Sequence, residues 1–313
     1  NDSLSTVCLV TNPDNLWDYE TGIYEMGPNA GATTPYHGAN FWRNVEISAS
    51  DSLFETDGTV GFSENCGLKI FGGYSRANGK KSLACMFRGK YGSSSLDYAL
   101  FGDAGINSFQ SFVLRAGGQD AYGSKIRDEM ITSLASEHLG LPVQRFRPTA
   151  LYINGDYWGI YFIREKLTDQ YVAGNFGVYA EDVTLANWSG SSCKAYRDLQ
   201  SYAKNHDLSK QEHYDYIKSR INMDNYIDYM ITQMWIANTD LGNVKFFKTP
   251  DMPWHWALFD TDLSFRRVSH KSVTNIMTKR IWIRDISSST LVIRLMKNPE
   301  FKDKFMRRMA WAL

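Results

Sequence analysis

The feature that most constrains the fold of this chain is a predicted hairpin with acidic residues at both of its open ends. Val244–Lys248 and Trp254–Phe259 are rich in aromatic and β-branched residues, and the segment between them has two prolines around an aspartate. Such a pattern is typical of two strands joined by a tight turn. The sequence therefore predicts an antiparallel pair in which Lys248 faces Trp254.

The same register, continued past the strand ends, places Asp240 opposite Asp262 and Asn243 beside Asp260. Asp260 and Asp262 are two residues apart, so an extended chain puts them on one face. Three carboxylates gathered by one hairpin repel one another unless a cation or a proton intervenes. Such hard oxygen ligands suit Mg²⁺ or Mn²⁺ bound to a nucleotide phosphate. The alternative interpretation is ordinary turn and helix-cap chemistry.

Composition narrows the class of protein. The 313 residues are enough for a large core or for two lobes that share a cleft. Hydrophobic residues at 43% and charged residues at 22% are ordinary for a soluble globular protein, and no apolar run approaches the ~20 residues that span a bilayer. A net charge of zero argues against a nucleic-acid binder. The aromatic content of 14% indicates either exposed rings in grooves or an aromatic-rich core.

The chain lacks the sequence motifs of several enzyme classes. The 6 histidines form no HExxH pair and the 4 cysteines no CxxC pair, so zinc is not expected. The cysteines leave both disulfides and free thiols open. The absence of G-x-S-x-G argues against an α/β-hydrolase, and a glycosidase would need Asp240 or Glu165 as its second carboxylate. We expect a trimmed chain, since it begins at Asn1 and ends within a helical pattern.

The first half of the chain reads as rich in β-structure. Glycine, asparagine and serine clusters separate the predicted strands, which are Phe41–Ile47, Cys66–Phe71, Ser82–Phe87 and Phe109–Leu114. A helix is predicted over Ser124–Leu139, ending at Gly140. A second hairpin follows, with strands Thr149–Ile153 and Tyr157–Ile163 around the turn Asn154-Gly155.

The second half reads as mostly helical. The predicted helices are Cys193–Lys204, His213–Arg220, Asp224–Ile236, Ser289–Lys297 and Glu300–Ala312, and Arg266–Ser288 is expected to be a loop over the site. The sequence therefore predicts an α+β protein of one domain over residues 1–313. A β-rich lobe of about 1–165 precedes a mostly helical lobe of about 166–313, with the binding cleft between them.

Three segments are candidates for binding phosphate. Gly72-Gly73-Tyr74-Ser75-Arg76 precedes Lys80-Lys81, and paired glycines let backbone N–H groups approach an anion. Arg115–Asp120 joins a strand to the helix that carries Arg127 and Asp128, although these two could form a structural ion pair instead. Glu165 ends the second hairpin and could hold a phosphate-binding lysine in place; the alternative is a solvated strand end.

Several of these segments together resemble the CotH-type family, which is named for an inner spore coat protein. The collinear motifs run from about residue 7 to 270 and are Asn15–Tyr24, Gly72–Arg76 with Lys80-Lys81-Ser82, Leu114–Asp120 with Arg127-Asp128, Tyr152–Tyr161 with Arg164-Glu165, and Asp260-Thr261-Asp262. Each motif is modest alone, but their order and number make the match specific. The resemblance implies a remote protein-kinase-like fold, with ATP and a divalent metal, and seryl phosphorylation of secreted or surface proteins.

The resemblance also implies roles for individual residues. Asp240 resembles the catalytic-loop aspartate, Asn243 the metal-binding asparagine and Asp262 the metal-binding aspartate of a DFG-like element. Asp260 is a further candidate metal ligand. Lys81 is expected to neutralise phosphate and Glu165 to position Lys81.

The expected nucleotide contacts complete this set. They are Gly73, Ser75, Arg76, Lys81 and Arg115 at the phosphates. Trp254 is a candidate ring for stacking on adenine, although its position favours packing in the core.

Two functions from different classes follow. The first is metal- and ATP-dependent phosphoryl transfer to serine or threonine residues of a protein substrate, outside the cell, at the cell surface or in a spore coat. The second is a non-catalytic extracellular module that binds a polysaccharide or a protein partner and keeps a structural Ca²⁺. Leu263-Ser264-Phe265-Arg266 favours the second, since family members often have glycine shortly after the second aspartate.

Overall fold

The computed structural model describes residues 3–102, 106–187, 193–240, 242–266 and 288–312. The chain divides into two compact units. The first unit contains Asn1–Lys125 and Arg145–Lys166, and the second contains Ile126–Gln144 and Leu167–Leu313. The chain therefore enters the second unit for one helix, returns to the first for a hairpin, and then stays in the second.

The first unit is built around a closed seven-stranded barrel. Its strands occur in the spatial order β1-β2-β3-β4-β7-β9-β8. They are β1 (Ser5–Val10), β2 (Ile47–Phe54), β3 (Val60–Phe71), β4 (Ser82–Met86), β7 (Ser111–Arg115), β8 (Phe146–Ile153) and β9 (Asp156–Arg164). All neighbours are antiparallel except β1 and β8, whose parallel pairing closes the barrel. A short helix α1 (Pro13–Trp17) and the strand pair β5 (Leu96–Asp97) and β6 (Ser108–Phe109) complete the elements of this unit.

The barrel interior follows from alternation along the strands. In β2 the residues Ile47, Ala49, Asp51 and Leu53 are buried, while the residues between them are more accessible. Successive side chains of a strand point to opposite faces, so every second residue faces the core. The other strands supply mostly leucine, isoleucine and phenylalanine, which makes the interior an apolar core.

Most of the predicted β-structure of this unit is confirmed, but the strand predicted at Phe41–Ile47 is wrong. Asn40–Trp42 forms a 3₁₀ turn, and β2 begins only at Ile47. The Asn40 backbone N–H donates to Met26 O, and its side-chain amide donates to Tyr19 O at 3.0 Å. These bonds to an earlier segment hold the chain in a turn despite its alternating aromatic residues.

The Asn-Gly hairpin is confirmed, and its turn is tied to the barrel. Asn154 and Gly155 have φ values of 51° and 90°, as a tight hairpin turn requires. The Asn154 side-chain oxygen accepts a hydrogen bond from Thr11 N at 2.9 Å, and Asn154 N donates to Leu9 O at 2.8 Å. This turn therefore fixes the end of β1 as well as its own two strands.

The second unit combines helices with one antiparallel sheet. The sheet has the order β10-β11-β12, formed by β10 (Thr184–Asn187), β11 (Lys245–Lys248) and β12 (His255–Ala257). The helices are α2 (Arg127–Leu139), α3 (Asp169–Phe176), α4 (Lys194–Asn205), α5 (Gln211–Lys218), α6 (Met223–Trp235), α7 (Ser288–Leu295) and α8 (Pro299–Ala312). The five helices predicted for the second half are confirmed; α3 and β10 were not predicted. The molecule is thus mixed α and β, with a large antiparallel sheet.

The predicted register of the acidic hairpin is confirmed. Lys245 pairs with Ala257 and Phe246 with Trp256, which is the register in which Lys248 would face Trp254. Phe246 and Trp256 stack with ring centroids 5.9 Å apart, and Tyr226 of α6 lies 4.6 Å from Trp256. Packing of the hairpin against the most buried helix thereby fixes which way its open end points.

The sequence also bears on membrane-spanning helices and on the loop predicted between residues 266 and 288. No helix among the described residues has both the length and the apolarity needed to cross a bilayer. The loop predicted over Arg266–Ser288 lies almost entirely outside the described residues.

Replacing Asn154 by alanine should destabilise the barrel. Alanine adopts the left-handed backbone conformation of this position less readily than asparagine does, and it lacks the acceptor for Thr11 N, so we expect a loss of about 2 kcal/mol in the free energy of unfolding. Urea unfolding followed by circular dichroism measures this loss. Asn154→Gly keeps the backbone conformation accessible and should lose less; equal losses in the two variants would contradict the backbone part of the argument.

Candidate active site

One side-chain amide joins two carboxylates at the open end of the β11–β12 hairpin. Nδ2 of Asn243 donates to Oδ2 of Asp240 at 3.0 Å and to Oδ2 of Asp260 at 2.6 Å. A side-chain amide nitrogen carries two protons, so it can donate to both oxygens at once. The hairpin therefore brings Asp240, Asn243 and Asp260 together, as the register predicts.

Asp262 completes the acidic group from a buried position. Its exposed fraction is only 1%, whereas Asp240 is half-buried. Burial raises the pKa of Asp240, and the charge of Asp262 raises it further, against a hydrogen bond from the Gly242 backbone that lowers it. The two carboxylates are therefore close enough to repel each other, and Asp240 holds a proton more readily than an ordinary aspartate.

The predicted convergence of all three carboxylates is wrong in one respect. Among the described residues, Asp240, Asp260 and Asp262 do not form a set whose ligand atoms all lie within 4.8 Å of one another. Asp260 and Asp262 do not share one face of an extended strand, and the reason is local. β12 ends at Ala257, and Asp260 has a left-handed φ of 56°. The two-residue alternation of a strand does not extend through such a residue.

Two residues of helix α2 hold the Asp260–Asp262 segment in place by hydrogen bonds. Oδ1 of Asp128 accepts hydrogen bonds from Thr261 N at 2.7 Å and from Thr261 Oγ1 at 2.8 Å. Nη1 of Arg127 donates to the backbone oxygen of Asp262 at 3.1 Å. Asp128 and Thr261 are both 0% exposed, so these bonds are shielded from water and fix the segment firmly. Arg127 and Asp128 thus support the site through its backbone, a role that the sequence did not indicate.

The segment before Asp240 is fixed in a similar way. Asn238 is buried; its side chain donates to Gln233 Oε1 at 3.0 Å and accepts from Asp240 N at 2.9 Å. Thr239 Oγ1 donates to Leu263 O at 3.2 Å. Asp240 is therefore anchored to the end of α6 on one side and to the segment after Asp262 on the other.

In the first unit, the amino group of Lys81 lies over backbone carbonyls and an aromatic ring. Nζ donates to Arg76 O at 2.6 Å and to Asn78 O at 2.9 Å, and it lies 4.0 Å from the centre of the Phe41 ring. Lys81 is 4% exposed. Burial lowers the pKa of Lys81 to about 8, while the charge of Glu25 acts in the opposite direction. Lys81, the residue immediately before β4, thus holds the glycine loop (Gly72–Asn78) closed.

The glycine loop itself is compact. Gly72 has a φ of 105°, which few residues other than glycine adopt. The Arg76 side chain donates to Gly72 O and, at 3.0 Å, to Phe41 O. Backbone bonds from Arg76 N to Gly73 O and from Asn78 N to Ser75 O close a 3₁₀ turn. The candidate residues Gly73, Ser75 and Arg76 therefore share one ordered loop with Lys81.

The predicted pairing of Glu165 with Lys81 is wrong. Oε2 of Glu165 accepts from Arg145 N at 2.8 Å, and Oε1 lies 3.9 Å from the Arg145 guanidinium. The end of β9 carries Glu165 to Arg145, the residue immediately before β8, whereas Lys81 is held by its own loop. Arg115 lies at the end of β7 and is 8% exposed.

Trp254 does not present its ring to a ligand. It is 2% exposed and packs in the core of the second unit against Tyr196 and Phe246, with centroids 5.5 and 5.3 Å away. The prediction that it stacks on adenine is therefore wrong. The high β-propensity of tryptophan marked the strand correctly, but it could not tell a buried ring from an exposed one.

Comparison with known proteins identifies the family. Residues 68–313 match the family described as CotH kinase protein, so the chain belongs to this family. The matched range contains every candidate site residue named above, and the Asn15–Tyr24 motif lies before it. No curated protein matches the chain.

Removing the Asp128 carboxylate should destabilise the second unit. Asp128→Ala leaves Thr261 N–H buried without its acceptor, and we expect a loss of about 3 kcal/mol in the free energy of unfolding. Thr261→Val removes only the hydroxyl bond and should cost about 1 kcal/mol. Urea unfolding measures both. Asp303→Ala, which breaks an exposed ion pair with Arg307, is the control; a loss in Asp128→Ala no larger than in this control would contradict the assignment.

Proposed function

We propose that this member of the CotH kinase family transfers the γ-phosphoryl group of ATP to serine or threonine hydroxyls of a protein, with Mg²⁺ or Mn²⁺. The observation that carries the proposal is the Asn243 amide between Asp240 and Asp260. By holding two carboxylates together, this amide concentrates negative charge at the open end of the hairpin. A divalent cation binds where carboxylate oxygens are concentrated in this way. Kinases depend on such sites, because most of their catalysis is positioning and charge neutralisation.

Asp240 is the proposed base. It is half-buried, and burial together with the charge of Asp262 raises its pKa, which makes it a better proton acceptor than an exposed aspartate. In the proposed step the acceptor hydroxyl oxygen forms a bond to the γ-phosphorus, the bond from that phosphorus to the β-phosphate oxygen breaks, and ADP leaves. The hydroxyl proton passes to Asp240.

Asn243 and Asp262 are the proposed metal ligands, with Asp260 as a further one. Their donors are carboxylate and amide oxygens, which fit Mg²⁺ and Mn²⁺. Within the described part of the chain, Oδ1 of Asn243 accepts no hydrogen bond, so it can serve as a ligand. The bound cation would neutralise charge on the phosphates. Asp128 keeps the Asp260–Asp262 segment in place through Thr261.

Lys81 and its loop are the proposed contacts for phosphate. With a pKa of about 8, Lys81 is mostly protonated at neutral pH and can offset phosphate charge. Gly73, Ser75, Arg76 and Arg115 are the further proposed contacts. In this proposal the β-rich and helical units correspond to the two lobes of a remote protein-kinase-like fold. The proposed substrates are secreted, surface or spore-coat proteins.

A second candidate function is favoured by exposed rings on the first unit. Trp17 is 39% exposed and its ring centroid lies 5.5 Å from that of the half-buried Trp158, with the buried Tyr24 beside both. Tyr19 and Tyr157 are 57% and 58% exposed. Exposed aromatic faces suit sugar rings, so this surface supports an extracellular module that binds polysaccharide. The two functions differ in the ligand that each requires. Phosphoryl transfer requires a nucleotide, and the binding module requires a glycan.

Asp262→Ala should abolish phosphoryl transfer. The change removes a proposed metal ligand that lies buried beside Asp240, and we expect transfer from radiolabelled ATP to a serine-rich protein to fall at least about 100-fold. Asp251→Ala, at the exposed turn of the same hairpin, should keep wild-type transfer.

Two results would contradict this proposal. One is equal, metal-independent labelling by the wild type and Asp262→Ala. The other is a thermal shift produced by a soluble glucan but not by ATP with Mg²⁺, which would favour the polysaccharide-binding module.

A further inference from the structure

A second group of ligand-type side chains lies inside the barrel of the first unit. Asp51 of β2, Cys66 of β3 and Cys85 of β4 are each 0% exposed, and one ligand atom from each lies within 4.8 Å of the other two. Among the described residues, this is the only set of three histidine, cysteine, aspartate or glutamate side chains that meets this distance. Its surroundings are leucine, isoleucine and phenylalanine.

Strand register explains how the three side chains meet. Cys66 pairs with Ala49, two residues from Asp51, and Cys85 pairs with Leu68, two residues from Cys66. The three residues therefore lie along one diagonal of the inner face, on three adjacent strands. Strand alternation keeps all three on that face.

The carboxylate of Asp51 is the observation that points to a ligand. Both of its oxygens are buried and accept no hydrogen bond from a nitrogen or oxygen donor; the thiol of Cys85 is the side chain near enough to donate to them, and no described lysine, arginine or histidine forms an ion pair with Asp51. A buried carboxylate without such partners is costly. A cation bound between these groups would offset the cost of their charges.

A metal ion fits this geometry better than a disulfide does. All four cysteines are free thiols in the structure. Diagonal residues of neighbouring strands have Cα atoms roughly 7–8 Å apart, beyond the usual span of a disulfide. An ion about 2.3 Å from each sulfur spans such a pair without moving the strands. Two sulfurs with one or two carboxylate oxygens form a donor set typical of zinc rather than magnesium.

We propose that Asp51, Cys66 and Cys85 bind one Zn²⁺ inside the barrel and thereby link β2, β3 and β4. Full burial leaves no open position for a substrate, so the role of this ion is structural. The thiols lose their protons on binding. This site and its soft ligands are independent of the Mg²⁺ or Mn²⁺ proposed at Asn243 and Asp262.

Metal content of the full chain tests the proposal. Elemental analysis of protein reconstituted with zinc and freed of loose metal should find about one zinc per chain. Cys66→Ser and Cys85→Ser should lose it. Cys8→Ser, on the outer face of β1, and Asp262→Ala should keep it. Loss of zinc in Asp262→Ala would place the ion at the other site and overturn the proposal.

Measurements on the wild-type chain test the zinc site even if the variants fail to fold. Cobalt in place of zinc should give a strong thiolate-to-metal absorption band, and a chelator should lower the Tm by several degrees, reversed by zinc. A chain that takes up no zinc, or whose cobalt form lacks this band, overturns the proposal. So does peptide mapping that finds Cys66 or Cys85 in a disulfide.

Discussion

The Asn243 side-chain amide, with hydrogen bonds to Asp240 and Asp260, is the interaction on which the candidate active site depends. Two carboxylates at the mouth of a hairpin repel each other, and the cost grows as they lose water. The amide offsets this repulsion with two donors that carry no net charge of their own. The site therefore keeps the negative charge that the proposed cation requires.

The rest of the second unit serves to keep that amide and those carboxylates in place. The hairpin register is fixed by Phe246 and Trp256, whose rings stack on each other and on the core around α6. Asp128 binds Thr261 from α2, and Asn238 binds the backbone of Asp240. Most of these supports are buried, and buried hydrogen bonds define one geometry more strictly than exposed ones do.

Local patterns in the sequence predicted the local parts of this arrangement. The hairpin register followed from two prolines and two aromatic strands, and the Asn154-Gly155 turn followed from its own two residues. Contacts between distant segments could not be predicted. The bond from Thr261 to Asp128 spans 133 residues, and the parallel pairing of β1 with β8 spans a similar distance. No periodicity or propensity encodes such separations.

Contacts between distant segments also explain why the sequence did not predict a zinc site at the buried cysteines. Zinc was not expected, because the sequence has no CxxC pair. That spacing describes ligands on one loop, whereas Cys66 and Cys85 meet only through pairing of their strands. Similarly, no local pattern predicted the left-handed backbone conformation of Asp260, and so the extended face predicted for Asp260 and Asp262 was wrong.

A crystal structure of the chain grown with Mn²⁺ and a non-hydrolysable ATP analogue tests the central claim most directly. Anomalous scattering locates manganese without reference to the protein atoms. We expect a manganese ion in contact with side-chain oxygens of Asn243 and Asp262. A nucleotide bound with manganese elsewhere, or manganese absent from these side chains at saturating concentration, would contradict it.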